Sequence, residues 1–182
     1  DQNVLTLNDE IINNIKKIKD EKRNFEIIYI DDGSSDNTFD KLKKLNTNNI
    51  DTTIIRHRIN MSQSAALNTG ISHSKYENLI ILDGDLQNDP NDINKMIDEF
   101  EKGGDMVIGW RKNRKDNFFL KSLPSIVANF IVRIFSKSKI HDHGCAFKIV
   151  KKNTIDELTN WGDFHRLLAA RLANNGYQVK EI

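Results

Sequence analysis

Two pairs of carboxylates, each ending an apolar run, are the residues in this chain best suited to chemistry. Phe25 to Ile30 leads into Asp31, Asp32, Gly33, Ser34, Ser35 and Asp36, and Leu79 to Leu82 leads into Asp83, Gly84, Asp85, Leu86 and Gln87. Like charges this close raise each other's cost of ionisation, so such a pair calls for a cation or a dense set of donors. Oxygen donors spaced as Asp83, Asp85 and Gln87 suit Mg²⁺ or Mn²⁺, which take a few carboxylates and leave other positions to phosphate. The turn after Asp31 and Asp32 opens a helix, where backbone amides favour an anion and a carboxylate can accept from a base N–H. Helix capping accounts for Ser34, Ser35 and Asp36. It does not account for two adjacent acids before them. His141 and His143 lie two apart without a further partner at zinc spacing.

The elements needed to present these acids are legible in the pattern. Leu7, Ile11, Ile15 and Ile18 carry a helical stripe, and Phe25 to Ile30 reads as a buried strand. Asp36 to Leu45 reads as a helix, Thr52 to Arg56 as a strand, and Ser62 to Ser72 as a helix. Asn78 to Leu82 is a further strand, and Asp89-Pro90 opens a helix to Lys102, with proline where its missing N–H is harmless. Gly103-Gly104 ends it before a strand from Asp105 to Trp110. Leu120 to Phe135 has a helical stripe that either packs on the sheet or lies at a membrane surface. Cys145 to Val150 and Tyr177 to Ile182 read as strands, separated by a helix from Trp161 to Asn175 with Gly176 as its cap. Alternating strands and helices predict an α/β fold with a mostly parallel sheet. Ligands of such sheets bind outside the carboxyl ends of the strands, which is where both acid pairs fall.

The 182 residues suit one domain, 1–182, large enough to bury a core. Charge is unevenly placed. Eight Lys/Arg against Asp116 alone make residues 111–139 about +7, and 19 basic against 25 acidic residues elsewhere make the rest about −6. Such a stripe points to an anionic partner. The single cysteine, Cys145, excludes an internal disulfide and reads as a buried small residue. No run of 18 apolar residues is present. Both ends read as cut, since the chain starts without an opening strand and stops on one.

Taken together, Ile30 to Thr38 and Leu82 to Pro90 resemble family-2 glycosyltransferases of the GT-A fold, specifically the polyprenyl-phosphate group related to dolichol-phosphate mannose synthase. Asn60 to Gly70, Gly109 to Asp116, Asp142 to Lys148 and Gly162 to Arg166 resemble further motifs of that group. The resemblance implies Asp32, with Asp31 and Gly33, at the nucleotide of a UDP- or GDP-hexose. It implies Asp83, Asp85 and Gln87 around Mg²⁺ or Mn²⁺ on the donor diphosphate, and Asp142 close to the reacting sugar. Arg111, Arg114 and Lys148 would meet the acceptor phosphate, with Asp163, His165 and Arg166 lining that side. Asp85, Asp142 and Arg111 would be the catalytic set. His143 replaces the usual Thr, Ala169 the usual Pro, and Ile126 a basic residue, departures that bear on the acceptor side.

The implied reaction is metal-dependent, inverting transfer of a hexose to an undecaprenyl or dolichyl phosphate at the cytoplasmic face of a membrane, in cell-envelope glycan synthesis. A phosphate nucleophile with a second pKa of about 6 needs no strong general base. A polysaccharide or other non-lipid acceptor is the runner-up within the family. Outside it, a nucleotidyltransferase would share the paired acids and Mg²⁺ but would carry a glycine-rich loop near its start. A non-catalytic lipid-carrier module would not need the Asp83–Asp85 pair. Nucleic acid is not expected as a partner; a homo-oligomer stays open.

Overall fold

The computed structural model describes residues 3–18, 23–111, 140–156 and 164–182. Arg114, Asp163 and the stripe from Leu120 to Phe135 lie outside the described residues, as does the side chain of Arg166. The chain forms two compact units, one from the residues up to Glu77 with Asp83–Asn94, the other from Asn78–Leu82 with the residues from Lys95 onward.

In the first unit, α1 (Asn3–Lys17), β1 (Glu26–Asp31), α2 (Thr38–Leu42), β2 (Asp51–Arg56) and α3 (Gln63–His73) follow one another. β1 and β2 pair in parallel from Glu26 with Asp51 to Asp31 with Arg56, so Asp31 closes the ladder and Asp32 emerges just past it. The helices bury an apolar side each: Leu7 and Ile12 of α1, Leu42 of α2 and Ile71 of α3 join Ile27 of β1 in the core. A fully buried side chain of this size stabilises by about 2 kcal/mol relative to exposure. The stripe of α1 is rotated from the expected one, since Asn8 and Asn14 are buried with it. Their amides explain why: Asn8 donates to the carbonyl of Asn46 (3.1 Å) and accepts from the Tyr29 hydroxyl (3.0 Å), while Asn14 donates to the Glu10 carbonyl (2.9 Å) and to Asn91 Oδ1 (3.1 Å). Burial, with the nearby Asp9 charge, pushes the Tyr29 hydroxyl up to about 12. It therefore stays a donor.

A helix from Asp36 is shortened to begin at Thr38. The Asp36 carboxylate accepts from the Thr38 amide at 3.0 Å, which stops the chain from continuing the helix backwards. Asp89 works in the same way before the 3₁₀ turn Pro90–Asp92, accepting from the Asn91 amide at 2.9 Å.

The second unit contains β3 (Asn78–Ile81), most of α4 (Ile93–Glu101), β4 (Met106–Ile108), β5 (Lys148–Lys151), α5 (Lys152–Asp156), α6 (Phe164–Asn174) and β6 (Val179–Glu181). Its sheet runs in the order β3-β5-β4-β6. β4 and β6 are parallel, but β5 lies between β3 and β4 and runs antiparallel to both. Met106, Val107, Ile108, Ile149 and Val150 are almost wholly buried, as expected for interior strands whose apolar runs do not alternate. Asp105 anchors the start of β4: its carboxylate accepts from the Gln178 amide and from Lys151 Nζ, each at 3.0 Å, and these contacts hold its pKa down. Gly176, at φ 89°, ends α6, with the Tyr177 amide reaching back to the Leu172 carbonyl (3.0 Å) and the Gly176 amide to Ala173 (3.2 Å). No helix among the described residues is long and apolar enough to cross a membrane.

Candidate functional site

The two acids after β1 divide their work. Asp31 is buried. One of its oxygens accepts from the Ser34 amide at 2.9 Å, and the other faces Arg56 Nε at 3.3 Å. Arg56 also donates to the Ser34 carbonyl (3.0 Å) and lies over the Phe39 ring, 4.7 Å from its centroid. Asp31 therefore shapes the turn from within.

Asp32 is directed out of the strand end and retains 18% side-chain exposure. Its Oδ1 accepts from the Met61 amide at 2.9 Å and lies 2.7 Å from His57 Nδ1, while Oδ2 accepts from the Ser62 amide at 3.0 Å. Burial alone would raise its pKa. The Met61 amide, the His57 ring and the Ser62 amide outweigh that and hold the carboxyl below its ordinary value. Asp32 is an anchored anion at neutral pH. His57 in turn reaches the Thr69 hydroxyl through Nε2 at 2.9 Å. His57 was not foreseen, because its partners lie 25 and 12 residues away in sequence.

The loop that supplies these amides is strained. Ser62 sits at φ 96° and ψ 156°, a conformation that is nearly confined to glycine and costs roughly 1–3 kcal/mol for other residues. Only its backbone N–H serves Asp32, so Ser62→Gly retains the contact and removes the strain. The variant is expected to melt about 2–4 °C higher, corresponding to about 1 kcal/mol in a chain of this size. A calorimetric scan showing no rise, or a fall, would contradict the strain.

After β3, Asp83 accepts from the Gln63 side-chain amide at 2.7 Å, which ties it to the first residue of α3. Asp85 is exposed and its Oδ1 accepts from the Gln87 amide at 3.0 Å, closing a turn in which Leu86 takes φ 59°. The Gln87 side chain is exposed. No cluster of three His, Cys, Asp or Glu side chains gathers around a metal position among the described residues. A pair of carboxylates on an open loop nevertheless fits Mg²⁺ or Mn²⁺, which commonly take one or two carboxylates and fill the remaining positions with phosphate oxygens and water.

In the second unit the expected acceptor residues form their own network. Arg111 grips the buried Asp142 with two N–H groups, Nε to Oδ2 at 2.9 Å and Nη2 to Oδ1 at 3.2 Å. Glu181 then fixes the Asp142 loop. Its Oε1 accepts from the amides of His141 and Asp142, both at 2.8 Å, and its Oε2 lies 2.7 Å from His141 Nδ1. The His141 ring stacks on Trp110 with centroids 4.5 Å apart and planes 11° from parallel. Glu181 carries no local motif, and only the pairing of β6 beside β4 brings it here. Lys148, read from sequence as an acceptor ligand, is buried and donates to the backbone carbonyl of His165 at 3.0 Å. Cys145 is buried as expected, and burial pushes its thiol pKa up.

The architecture resembles that of S. aureus TarS, whose crystal structure over residues 1–349 aligns with 99% of this chain and 55% of that one, at a TM-score of 0.57 and 16% identity. A second TarS structure, in complex with UDP, aligns at a TM-score of 0.56. This likeness identifies the fold as GT-A. In sequence, the chain is 38% identical over 151 residues to dodecaprenyl-phosphate galacturonate synthase of Rhizobium johnstonii, covering 82% of this chain and 45% of the relative. It is 32% identical over 161 residues to undecaprenyl-phosphate 4-deoxy-4-formamido-L-arabinose transferase of Klebsiella pneumoniae, covering 86% of this chain and 49% of the relative. The chain thus spans about half the length of these curated relatives. The model of glycosyl transferase family 2 matches residues 5–159, most of the chain, and with the GT-A fold and both acid-bearing strand ends in place this chain belongs to that family.

Proposed function

We propose that this chain transfers a hexose from a nucleoside-diphosphate sugar to a polyprenyl phosphate, inverting the anomeric centre, at the cytoplasmic surface of a membrane. The observation that carries this is the similarity, over 82% and 86% of the chain, to two relatives named for dodecaprenyl and undecaprenyl phosphate. The described geometry supports the donor side. Asp32 offers the nucleotide base a fixed carboxylate acceptor, and Gly33 lets the backbone of Ile59 and Asn60 pack closely against the turn that carries it. Asp83 and Asp85 would hold Mg²⁺ or Mn²⁺, which when bound supplies charge neutralisation for the leaving diphosphate.

On the acceptor side the nucleophile is a phosphate oxygen, already anionic near neutral pH because its second pKa is about 6. The chain therefore needs cations that hold a second anion in place more than it needs a base. Arg111 is one such cation, with its plane set by Asp142 and the Asp142 loop set by Glu181. Arg114 and Arg166 are proposed as others, within the basic stripe and the last helix. Lys148, whose Nζ donates to the His165 carbonyl, would steady that stretch.

The full-length protein, given undecaprenyl phosphate, Mg²⁺ and a panel of UDP- and GDP-sugars, is expected to form a butanol-extractable lipid-linked sugar with one donor. The product anomer, read by NMR, is expected to be opposite to the donor's. Transfer to a glycan in the aqueous phase without lipid phosphate would replace this proposal by the runner-up, a family-2 enzyme acting on a polysaccharide.

A further inference from the structure

The hydrogen bonds around Asp32 leave it a restricted set of acceptor positions, and that restriction bears on which base it can receive. This rests on the proposal that Asp32 contacts the nucleotide base. An ionised carboxylate has about four acceptor positions, two on each oxygen. Both positions on Oδ1 are taken, by the Met61 amide at 2.9 Å and His57 Nδ1 at 2.7 Å. One position on Oδ2 is taken by the Ser62 amide at 3.0 Å. Among the described residues, a single position on Oδ2 remains.

His57 is the variable member of this set, because the other two donors are backbone. Since an ionised carboxylate only accepts, the proton between His57 and Asp32 resides on Nδ1. Thr69 Oγ1, 2.9 Å from Nε2, keeps the ring turned that way. The ring is only 10% exposed, so solvent does not readily displace it.

The bases differ in what they present. Uracil offers one ring N–H between two carbonyls. Guanine offers a ring N–H beside an exocyclic amino group, two parallel donors that a carboxylate would receive with both oxygens. We propose that His57 is a positioning and specificity-determining residue: by filling Oδ1 it limits Asp32 to one incoming N–H and selects a uracil-type imide edge over guanine. Leaving a guanine donor unmatched in the site is penalised more than a missing contact in water.

Calorimetric titration of UDP and of GDP, each with Mg²⁺, into the full-length protein tests this. UDP is expected to bind at least about tenfold more tightly than GDP, the scale of one hydrogen bond. His57→Gln places its amide at the Nε2 position and removes the Nδ1 donor, so the two affinities are expected to fall within about threefold of each other. His57→Asn retains an N–H at the Nδ1 position and is expected to preserve the original ratio. Equal affinities in the unaltered protein, or an unchanged ratio in folded His57→Gln, overturn the role of His57 and leave nucleotide binding standing. Binding of neither nucleotide overturns the base contact of Asp32 and this inference with it. Should His57→Gln not fold, His57→Leu, which also removes the Nδ1 donor, is titrated in its place, and an unchanged ratio there overturns the role of His57 in the same way.

Discussion

Asp85→Asn is expected to lower turnover by about a thousandfold or more, with little change in melting temperature. The size follows from the charge stabilisation that a bound divalent cation supplies, several kcal/mol, at about 1.4 kcal/mol for each factor of ten in rate. The fold should not suffer, because Asp85 is exposed and its one described hydrogen bond is to the Gln87 amide at 3.0 Å. An asparagine carbonyl can accept that exposed bond, more weakly than a carboxylate, and tolerates the same turn. Exposed substitutions of this kind usually change stability by less than about 0.5 kcal/mol. Steady-state kinetics on the full-length protein with saturating Mg²⁺, beside a thermal melt, separate the two effects. Full activity in a folded Asp85→Asn protein would remove Asp85 from the proposed metal site.

The second large effect is on stability. A Cβ at Gly33 would stand 2.5 Å from the Ile59 carbonyl carbon, 2.6 Å from the Asn60 nitrogen and 2.9 Å from the Ile59 oxygen. All three are backbone atoms, so no side chain can swing away. Gly33 also has φ +72°, which alone costs a non-glycine residue roughly 1–2 kcal/mol. Gly33→Ala should therefore destabilise by about 3 kcal/mol or more, which corresponds to about 6–12 °C in melting temperature. Residues 59 and 60 immediately precede Met61 and Ser62, whose amides hold Asp32, so the same change should also displace the donors to that carboxylate. Gly84→Ala is the natural control, since nothing lies within 4 Å of its added Cβ. A Gly33→Ala protein that melts with the parent would show that the loop 57–62 yields easily.

The placement of both acid pairs at strand ends was legible because its signals are local. Asp31 and Asp32 end an apolar run, and β1 ends on Asp31. Asp83 and Asp85 follow another, and β3 stops at Ile81. Short-range chemistry also placed Asp89-Pro90 before a helix and Gly176 after one. What could not be read were partners chosen by pairing. Nothing in residues 145–150 announces that β5 runs antiparallel between β3 and β4, because a mostly apolar run suits an interior strand of either direction. Lys148 read from sequence as a ligand for the acceptor phosphate; that it is buried, with Nζ donating to the His165 carbonyl of α6, depends on tertiary packing that no local pattern records. His57 and Glu181 carry no motif at all, and tertiary pairing alone gives them Asp32, Thr69 and the Asp142 loop.

The antiparallel strand also sets an order of assembly. β1 and β2 are only 25 residues apart in register, from Glu26 with Asp51 onward, so the first ladder can close as soon as residue 56 exists. The second sheet has no such option. β3 finds its neighbour about 70 residues later, where Leu79 meets Val150, and β4 waits for the same strand. Until β5 is synthesised, the edges of β3 and β4 that it will cover remain open on a growing chain. Non-local pairing of this kind is slow, and exposed edges in the interval are where chains associate wrongly. The half of the chain that holds Arg111 and Asp142 is thus expected to fold last, which pulse-labelled hydrogen exchange during refolding would show as later protection of β3 and β4 than of β1 and β2.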